Sequence, residues 1–307
     1  MQLTLSPLCP IFREDSRHEL IRLLELVLYK RWHLIVRPDL TTLRGRLGPQ
    51  LWAQYGEFLL QRYKLITTER GCRFGPAMCD ACDPKRLVDY LELDVKLLVE
   101  NATTDGAFFR MAIQHFRSPL TRLLKHPRVV EIMQAGGIGE LKKLARMTME
   151  HRAPLILEGA PARVVAICDS DAAAPDAPCA AARALAADAA ARGYGAHVLE
   201  KRSIENYIPD TALMEYADVR AHSRAAVDYI LTLGRIARDH YPMKDGLDER
   251  DVATGLYPDE APLGLGVGDF AEDLLTHFSH CIETSDWRAR DYGDELGDVM
   301  RLLEEHI

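Results

Sequence analysis

Residues 163–171, Arg163-Val-Val-Ala-Ile-Cys-Asp-Ser-Asp171, constrain the fold of this chain more than any other stretch. The run is short, apolar and rich in β-branched residues, and a polar loop follows it, so it predicts a buried strand. Ligand sites in α/β sheets lie at the carboxyl ends of such strands. Asp169 and Asp171 are two residues apart, so we expect their carboxylates on one face, forming the oxygen-rich surface that Mg²⁺ prefers. The alternative is a solvated loop that merely contains two aspartates.

The segments around this run alternate between strand and helix patterns. The other predicted strands cover residues 96–100, 129–133 and 196–199, and the predicted helices cover residues 107–115, 140–151 and 179–192. A β-α-β-α-β-α-β order predicts an α/β fold, in which helices cover both faces of a parallel sheet.

Acidic residues follow three of the predicted strands. Glu100 ends the first strand, Asp169 and Asp171 follow the third, and Glu205 comes shortly after the fourth. Because the carboxyl ends of parallel strands meet at one edge of the sheet, we expect these acids to converge there. A single glutamate at a strand end is usually a surface residue, but acids at three strand ends on the same edge favour a metal site.

The flanking regions carry mainly helical patterns. We expect three parts: a helical N-terminal region (1–94), a central α/β catalytic domain (95–210), and a helical C-terminal region (211–307) packed on the central core. The glycine-rich run 264–268 neither follows a strand nor opens a βαβ unit, so it does not predict a dinucleotide site. The chain also has no G-x-x-x-x-G-K-[ST] motif, so it has no ATP-binding P-loop of its own.

Three cysteines of the N-terminal region have the spacing C-x6-C-x2-C. Cys79 and Cys82 are separated as in a zinc knuckle, and Cys72 precedes them. The fourth ligand is missing locally, and Cys9 or His33 could complete a structural Zn²⁺ site. The alternative is three ordinary thiols in a loop rich in glycine and proline.

Composition excludes several classes of protein. A chain that is 48% hydrophobic and 27% charged is globular rather than disordered. Its net charge of −8 excludes a general cationic nucleic-acid binder, although metal ions let an acidic protein act on phosphates. We expect a cytoplasmic protein without a membrane segment, because no signal peptide and no long apolar run is evident. Seven cysteines without a regular framework fit reduced thiols.

Four segments of the central region resemble the Toprim domain. They are Leu97-Leu-Val-Glu-Asn-Ala-Thr-Thr-Asp105, Gly136-Gly137, Asp169-Ser-Asp171 and Arg202-Ser-Ile-Glu-Asn-Tyr-Ile-Pro209. Toprim domains occur in type IA and type II topoisomerases, DnaG-type primases, RecR proteins and OLD-family nucleases. The last segment is similar to Toprim nucleases of bacterial phage-defence systems, both OLD-like and stand-alone.

This resemblance implies an endonuclease that uses Mg²⁺ or Mn²⁺ to cleave DNA or RNA, as an antiphage defence effector. It implies metal ligation by five acids: Glu100, Asp105, Asp169, Asp171 and Glu205. Glu205 would also support the attacking water, and Lys244 would neutralise charge on the phosphate, unless it is an ordinary solvated lysine. The missing P-loop suggests that a partner ATPase acts as the sensor. Homo-oligomerisation stays open.

Two other functions compete with the nuclease. A Toprim scaffold could bind nucleic acid or a partner ATPase without cutting, as in a RecR-like role, but a scaffold has no need of the full acid set. A topoisomerase-like enzyme would need a nucleophilic tyrosine in a separate domain, and we expect Tyr207 to be a core residue instead.

Overall fold

A computed structural model describes residues 2–4, 8–27, 35–37, 40–65, 73–74, 82–115, 129–268, 270–271, 273, 283–291 and 293–306. The strands are β1 (Gln2–Thr4), β2 (Ile35–Arg37), β3 (Arg73–Phe74), β4 (Val95–Val99), β5 (Val130–Gln134), β6 (Val164–Cys168) and β7 (Gly195–Val198). The α-helices are α1 (Arg17–Glu25), α2 (Leu40–Leu65), α3 (Pro84–Glu92), α4 (Thr104–His115), α5 (Ile138–Arg152), α6 (Ala180–Arg192), α7 (Asp210–Val219), α8 (Arg224–Thr232), α9 (Arg235–Asp239), α10 (Glu249–Val252), α11 (Thr284–Arg290) and α12 (Glu295–His306).

The central sheet has four parallel strands in the order β5-β4-β6-β7. The chain runs from β4 outward to β5, then crosses back to β6 on the other side of β4 and continues outward to β7. The order therefore reverses between β4 and β6. In such α/β sheets the ligand crevice lies at the carboxyl ends of the two strands that flank this switch point.

Helices cover both faces of the sheet, and this confirms the α/β fold predicted from the sequence. All five residues of β6 are buried. Val165 and Ile167 pack with Phe108 of α4 on one face, while alternate residues of the strand pack with Leu141 of α5 and Leu185 of α6 on the other. Full burial of each aliphatic side chain contributes about 1.5–3 kcal/mol, so slipping the strand by one residue would be strongly unfavourable.

The C-terminal helices share the hydrophobic core on the α4 face of the sheet. Trp287 of α11 is fully buried, and its ring centroid lies 5.3 Å from that of Phe108 in an edge-on arrangement. Such aromatic pairs contribute about 0.5–1.5 kcal/mol beyond the area they bury. The helical patterns predicted after residue 211 correspond to α7, α8, α9 and α12.

The N-terminal region has its own hydrophobic cluster, to which α1 and α3 contribute. Arg22 of α1 forms ion pairs with Asp89 (3.0 Å) and Glu92 (2.9 Å) of α3. This region also contains a small parallel sheet in the order β2-β1-β3, which the helical patterns did not predict. Strands of two or three residues are too short to produce a recognisable alternation. Within the described ranges, no helix combines the length and hydropathy that a membrane span requires.

Candidate metal centre

Glu100 and Asp169 meet at the switch point of the sheet. Glu100 follows β4 and Asp169 follows β6, and these strands are direct neighbours. The Asp169 N–H donates to Glu100 Oε1 at 3.3 Å. Asp169 Oδ1 accepts a hydrogen bond from the Ile204 N–H at 3.0 Å, which ties the carboxylate to the segment that carries Glu205.

Asp105 is brought back toward the end of β4 by a pair of hydrogen bonds. Asn101 Oδ1 accepts from the Thr103 N–H at 2.9 Å, and Asp105 Oδ2 accepts from the Asn101 N–H at 3.0 Å. An asparagine that caps the following backbone in this way favours an early helix start. Helix α4 accordingly begins at Thr104, three residues before the predicted position, and Asp105 lies in its first turn.

Asp171 lies in a loop rather than in a strand. Strand β6 ends at Cys168, and Asp171 has a φ of 49°, which is uncommon for any residue except glycine. The expectation that strand alternation places Asp169 and Asp171 on one face is therefore wrong, because neither residue lies in the strand. The position of Asp171 depends on its N–H, which donates to Arg202 O at 3.0 Å.

Glu205 lies in a 3₁₀ helix, Ile204–Tyr207, which is held by a buried asparagine. Asn206 is 1% exposed, and its Oδ1 accepts from the Ser203 N–H at 3.0 Å to close a capping box. Its Nδ2 donates to the carbonyls of Arg238 and Tyr241, both at 2.9 Å. Sequence reasoning missed this residue, although a serine followed by a polar residue three positions later is the spacing of a capping box.

Tyr207 is a core residue, as the sequence predicted. It is fully buried, and its hydroxyl donates to Glu295 of α12. The Tyr207 ring also lies 4.5 Å from the Lys201 ammonium, so the side chain joins β7 to the C-terminal helices.

Five acidic residues interact through their charges, and we call them the acid cluster: Glu100, Asp105, Asp169, Asp171 and Glu205. Burial raises the pKa of Glu100 to about 7, and the charges of Asp105 and Asp171 add to the shift. Burial and the charge of Glu205 raise the pKa of Asp105 to about 6. Burial also holds the pKa of Asp169 well above its usual range, and the other four acids raise it further. Asp169 thus lies within electrostatic range of the other four acids singled out from the sequence.

A basic residue, Arg202, acts on this cluster. Burial raises the pKa of Asp171, and the Arg202 charge opposes that shift. The guanidinium is held in place because its Nη1 donates to Asp251 Oδ1 at 2.6 Å. Sequence reasoning treated Arg202 only as part of a segment and missed its electrostatic contact with Asp171.

The donor set of the cluster consists of carboxylate oxygens, which are the ligands of hard cations. Over the described residues, no group of three or more His, Cys, Asp or Glu side chains is already arranged to hold a metal ion. Mg²⁺ usually keeps several of its waters and binds through one or two carboxylates together with substrate phosphates. The acid cluster fits that mode of binding.

Lys244 lies in a loop that packs against the glycine-rich run 264–268. The side chain is exposed, and the Lys244 carbonyl accepts from the Gly268 N–H at 3.0 Å. A Cβ on Gly266 would lie 2.0 Å from this carbonyl oxygen, so the glycine permits a close approach of two backbones. The assignment of Lys244 to the reaction stays a prediction.

The zinc prediction rests largely on residues outside the described ranges, which exclude Cys72, Cys79 and His33. Cys82 is half-buried, burial raises its thiol pKa, and its Sγ lies 3.5 Å from Asp83 O. Cys9 is buried in the N-terminal cluster. Zinc binding stays a prediction.

Comparison of this chain with protein-family models, with curated proteins and with solved structures finds no match.

Proposed function

We propose that this protein is a nuclease that hydrolyses phosphodiester bonds of DNA or RNA with Mg²⁺ or Mn²⁺. The observation that supports the proposal most is the acid cluster at the switch point of the sheet. Its members come from three separate segments, and burial and mutual repulsion raise the pKa of Glu100, Asp105 and Asp169.

Such a cluster opposes folding rather than supporting it. Burial and four neighbouring acids raise the pKa of Asp169. Hydrogen bonds from main-chain N–H groups lower the pKa values of Glu100 and Asp105, and so only partly offset the effect of burial there. A purely structural site would be more stable with amides at these positions, because neutral side chains avoid the cost of buried charge. Perturbed carboxyls in a cleft are typical of functional sites, and a divalent cation would offset their repulsion.

The residues of the chain would divide the chemistry as follows. Glu100, Asp169 and Asp171 would hold the cation, which when bound supplies Lewis acidity toward the phosphodiester. Glu205 would take the proton from the attacking water, since its segment is joined to Asp169 through the Ile204 N–H. Lys244 would neutralise the charge that develops on the phosphate.

The experiment that tests this proposal is a cleavage assay on plasmid DNA and on transfer RNA, with Mg²⁺, Mn²⁺ or EDTA. The Asp169→Asn and Asp171→Asn variants should lose cleavage by about 10²-fold or more, because each removes a charge from the cation site. Asp259→Asn and Glu158→Gln are matched controls. Both side chains are exposed, and Glu158 precedes β6 at the opposite edge of the sheet, so both variants should cleave like the wild type.

Circular dichroism should show that all four variants are folded. Metal-dependent cleavage at the wild-type rate by the double variant Asp169→Asn/Asp171→Asn would refute the proposal. Tight nucleic-acid binding by the wild type, with no cleavage under any metal, would favour the non-cutting scaffold instead.

A further inference from the structure

A cavity of about 650 Å³ adjoins the loop that carries Asp169 and Asp171. Its lining includes Ser170 and Ala172 of that loop, and His240, Asp176 and Glu200. Of the residues that the structure describes, no member of the acid cluster lines this cavity, so it is separate from the candidate metal centre. Its volume lies within the range of about 300–1,000 Å³ that is usual for small-molecule sites.

One wall of the cavity presents a hydrogen-bond acceptor. His240 is 4% exposed, and its Nδ1 lies 3.0 Å from the carbonyl oxygen of Ala172. Because a carbonyl oxygen only accepts, Nδ1 carries the proton and the neutral ring holds a lone pair at Nε2. Burial lowers the pKa of His240, which favours this neutral form. Across the described chain, Nε2 has no protein hydrogen-bond partner, so the position suits an N–H or O–H of a ligand.

The lining is otherwise apolar and negatively charged. Pro175, Pro178 and Leu199 supply apolar surface. Five lining residues are acidic and two are Lys or Arg, and Asp239 is paired with Arg290 outside the lining, so the formal excess is two negative charges. Asp176 and Glu200 are exposed, so their carboxylates are open to solvent as well as to the cavity.

The deeper acids are already bound within the protein and act on a ligand mainly through their charge. Glu295 Oε1 accepts from the Glu200 N–H at 2.7 Å and lies 2.7 Å from His197 Nε2. Asp239 Oδ1 forms an ion pair with Arg290 Nη1 at 2.6 Å. The groups that can contact a ligand are therefore His240 Nε2, the apolar wall, the exposed carboxylates and the exposed Arg235.

We infer that this cavity binds an organic amine, in which an ammonium group is joined to an apolar body that carries a hydrogen-bond donor. The ammonium would face Asp176 and Glu200, the body would lie against the prolines and Leu199, and the donor would reach His240 Nε2. An anionic ligand of the same shape is excluded by the excess of negative charge. The inference does not depend on phosphodiester cleavage.

A bound amine would also contact the residues that hold the loop at 169–172. Ser170 Oγ donates to Lys201 O at 2.7 Å, and His240 holds the Ala172 carbonyl. Both side chains belong to the cavity lining, so occupancy should slow hydrogen exchange in this loop.

Calorimetric titration of the full chain tests the inference with three indole compounds that differ mainly in charge: tryptamine, tryptophol and indole-3-acetate. Tryptamine should bind at least about tenfold more tightly than tryptophol, and indole-3-acetate should not bind. The variant His240→Asn keeps a donor near the Ala172 carbonyl and removes Nε2, and Asp176→Asn/Glu200→Gln neutralises the two exposed carboxylates. Each should weaken tryptamine binding by about tenfold or more, and Asp259→Asn should leave it unchanged.

Three results would overturn the inference. The first is the absence of tryptamine binding to the wild type at millimolar concentration. The second is equal affinity for tryptamine and indole-3-acetate. The third is unchanged tryptamine affinity in Asp176→Asn/Glu200→Gln. Both substitutions are at exposed positions and leave the core intact, so this variant tests the inference even when His240→Asn fails to fold.

Discussion

Replacing Glu100 by glutamine should make the metal-free protein more stable at pH 8 while removing a ligand of the candidate metal centre. Glutamine has nearly the same shape, and its Oε1 can still accept the hydrogen bond that Asp169 N–H donates to Glu100. The change therefore removes the charge and leaves packing and the main contact in place.

The size of the effect follows from the raised pKa of Glu100, which moves from an ordinary value of 4.5 to about 7 on folding. A carboxyl whose pKa is raised in the folded state binds its proton more tightly there, so its contribution to stability is lost as the pH rises toward 7. Each tenfold change in proton affinity corresponds to about 1.4 kcal/mol, so the charged side chain costs about 3 kcal/mol at pH 8. At pH 5 the cost is below about 1 kcal/mol, because Glu100 is then mostly protonated in the folded protein.

The assay is urea denaturation followed by circular dichroism at pH 5 and pH 8, with EDTA present. The Glu100→Gln variant should gain about 3 kcal/mol in the free energy of unfolding at pH 8 and much less at pH 5. Adding Mg²⁺ should then stabilise the wild type more than the variant, because binding to the native state raises stability. Glu158→Gln, an exposed glutamate before β6, is the control and should change neither value.

Equal stability of the wild type and Glu100→Gln at pH 8 would show that Glu100 is not held in an unfavourable charged state. A difference of the same size at pH 5 and pH 8 would assign the effect to packing rather than to charge. Either result would remove the electrostatic basis for the acid cluster.

Further predictions concern the transition state, the cysteines and the loop of Lys244. Glu205→Gln and Lys244→Ala should each lower turnover by about 10²-fold, with substrate affinity little changed, and the double variant should lose less than the product of the two effects; full additivity in single-turnover assays would count against a shared role. If Cys72, Cys79 and Cys82 bind zinc, purified protein should contain close to one zinc per chain, and Cys79→Ser should lower the thermal stability of the N-terminal region; metal analysis without zinc would exclude the site. Gly266→Ala should destabilise the fold by about 1–3 kcal/mol in urea titration, because its Cβ meets the Lys244 carbonyl oxygen at 2.0 Å; unchanged stability would show that the two backbones separate easily.

The strands of the central sheet could be predicted from the sequence because their signal is local. Runs buried on both faces are apolar and β-branched along their whole length, as in β6, where every residue is buried. The predicted strands 96–100, 129–133 and 196–199 differ by one residue from Val95–Val99, Val130–Gln134 and Gly195–Val198. The small sheet of β1, β2 and β3 was missed because its strands are too short to show a pattern.

The candidate site followed from the sequence only in part. The residue type and strand-end position of Glu100 and Asp169 were sufficient to predict that they converge, because parallel strands carry their carboxyl ends to one edge. The contacts of Asn206 with the Arg238 and Tyr241 carbonyls, and of His240 with the Ala172 carbonyl, were not predictable, since they join residues that are distant in the chain.

The sequence by itself therefore determined the order and type of the central elements and the acids at their ends. Only the tertiary structure decided how those acids interact, because the deciding contacts are long-range. Asp169 reaches Glu100 across 69 residues and Ile204 across 35, and Asp171 takes its place through a positive φ and a hydrogen bond to Arg202. Burial at that edge, which no local pattern encodes, raises the carboxyl pKa values and gives the cluster its affinity for a cation in our proposal.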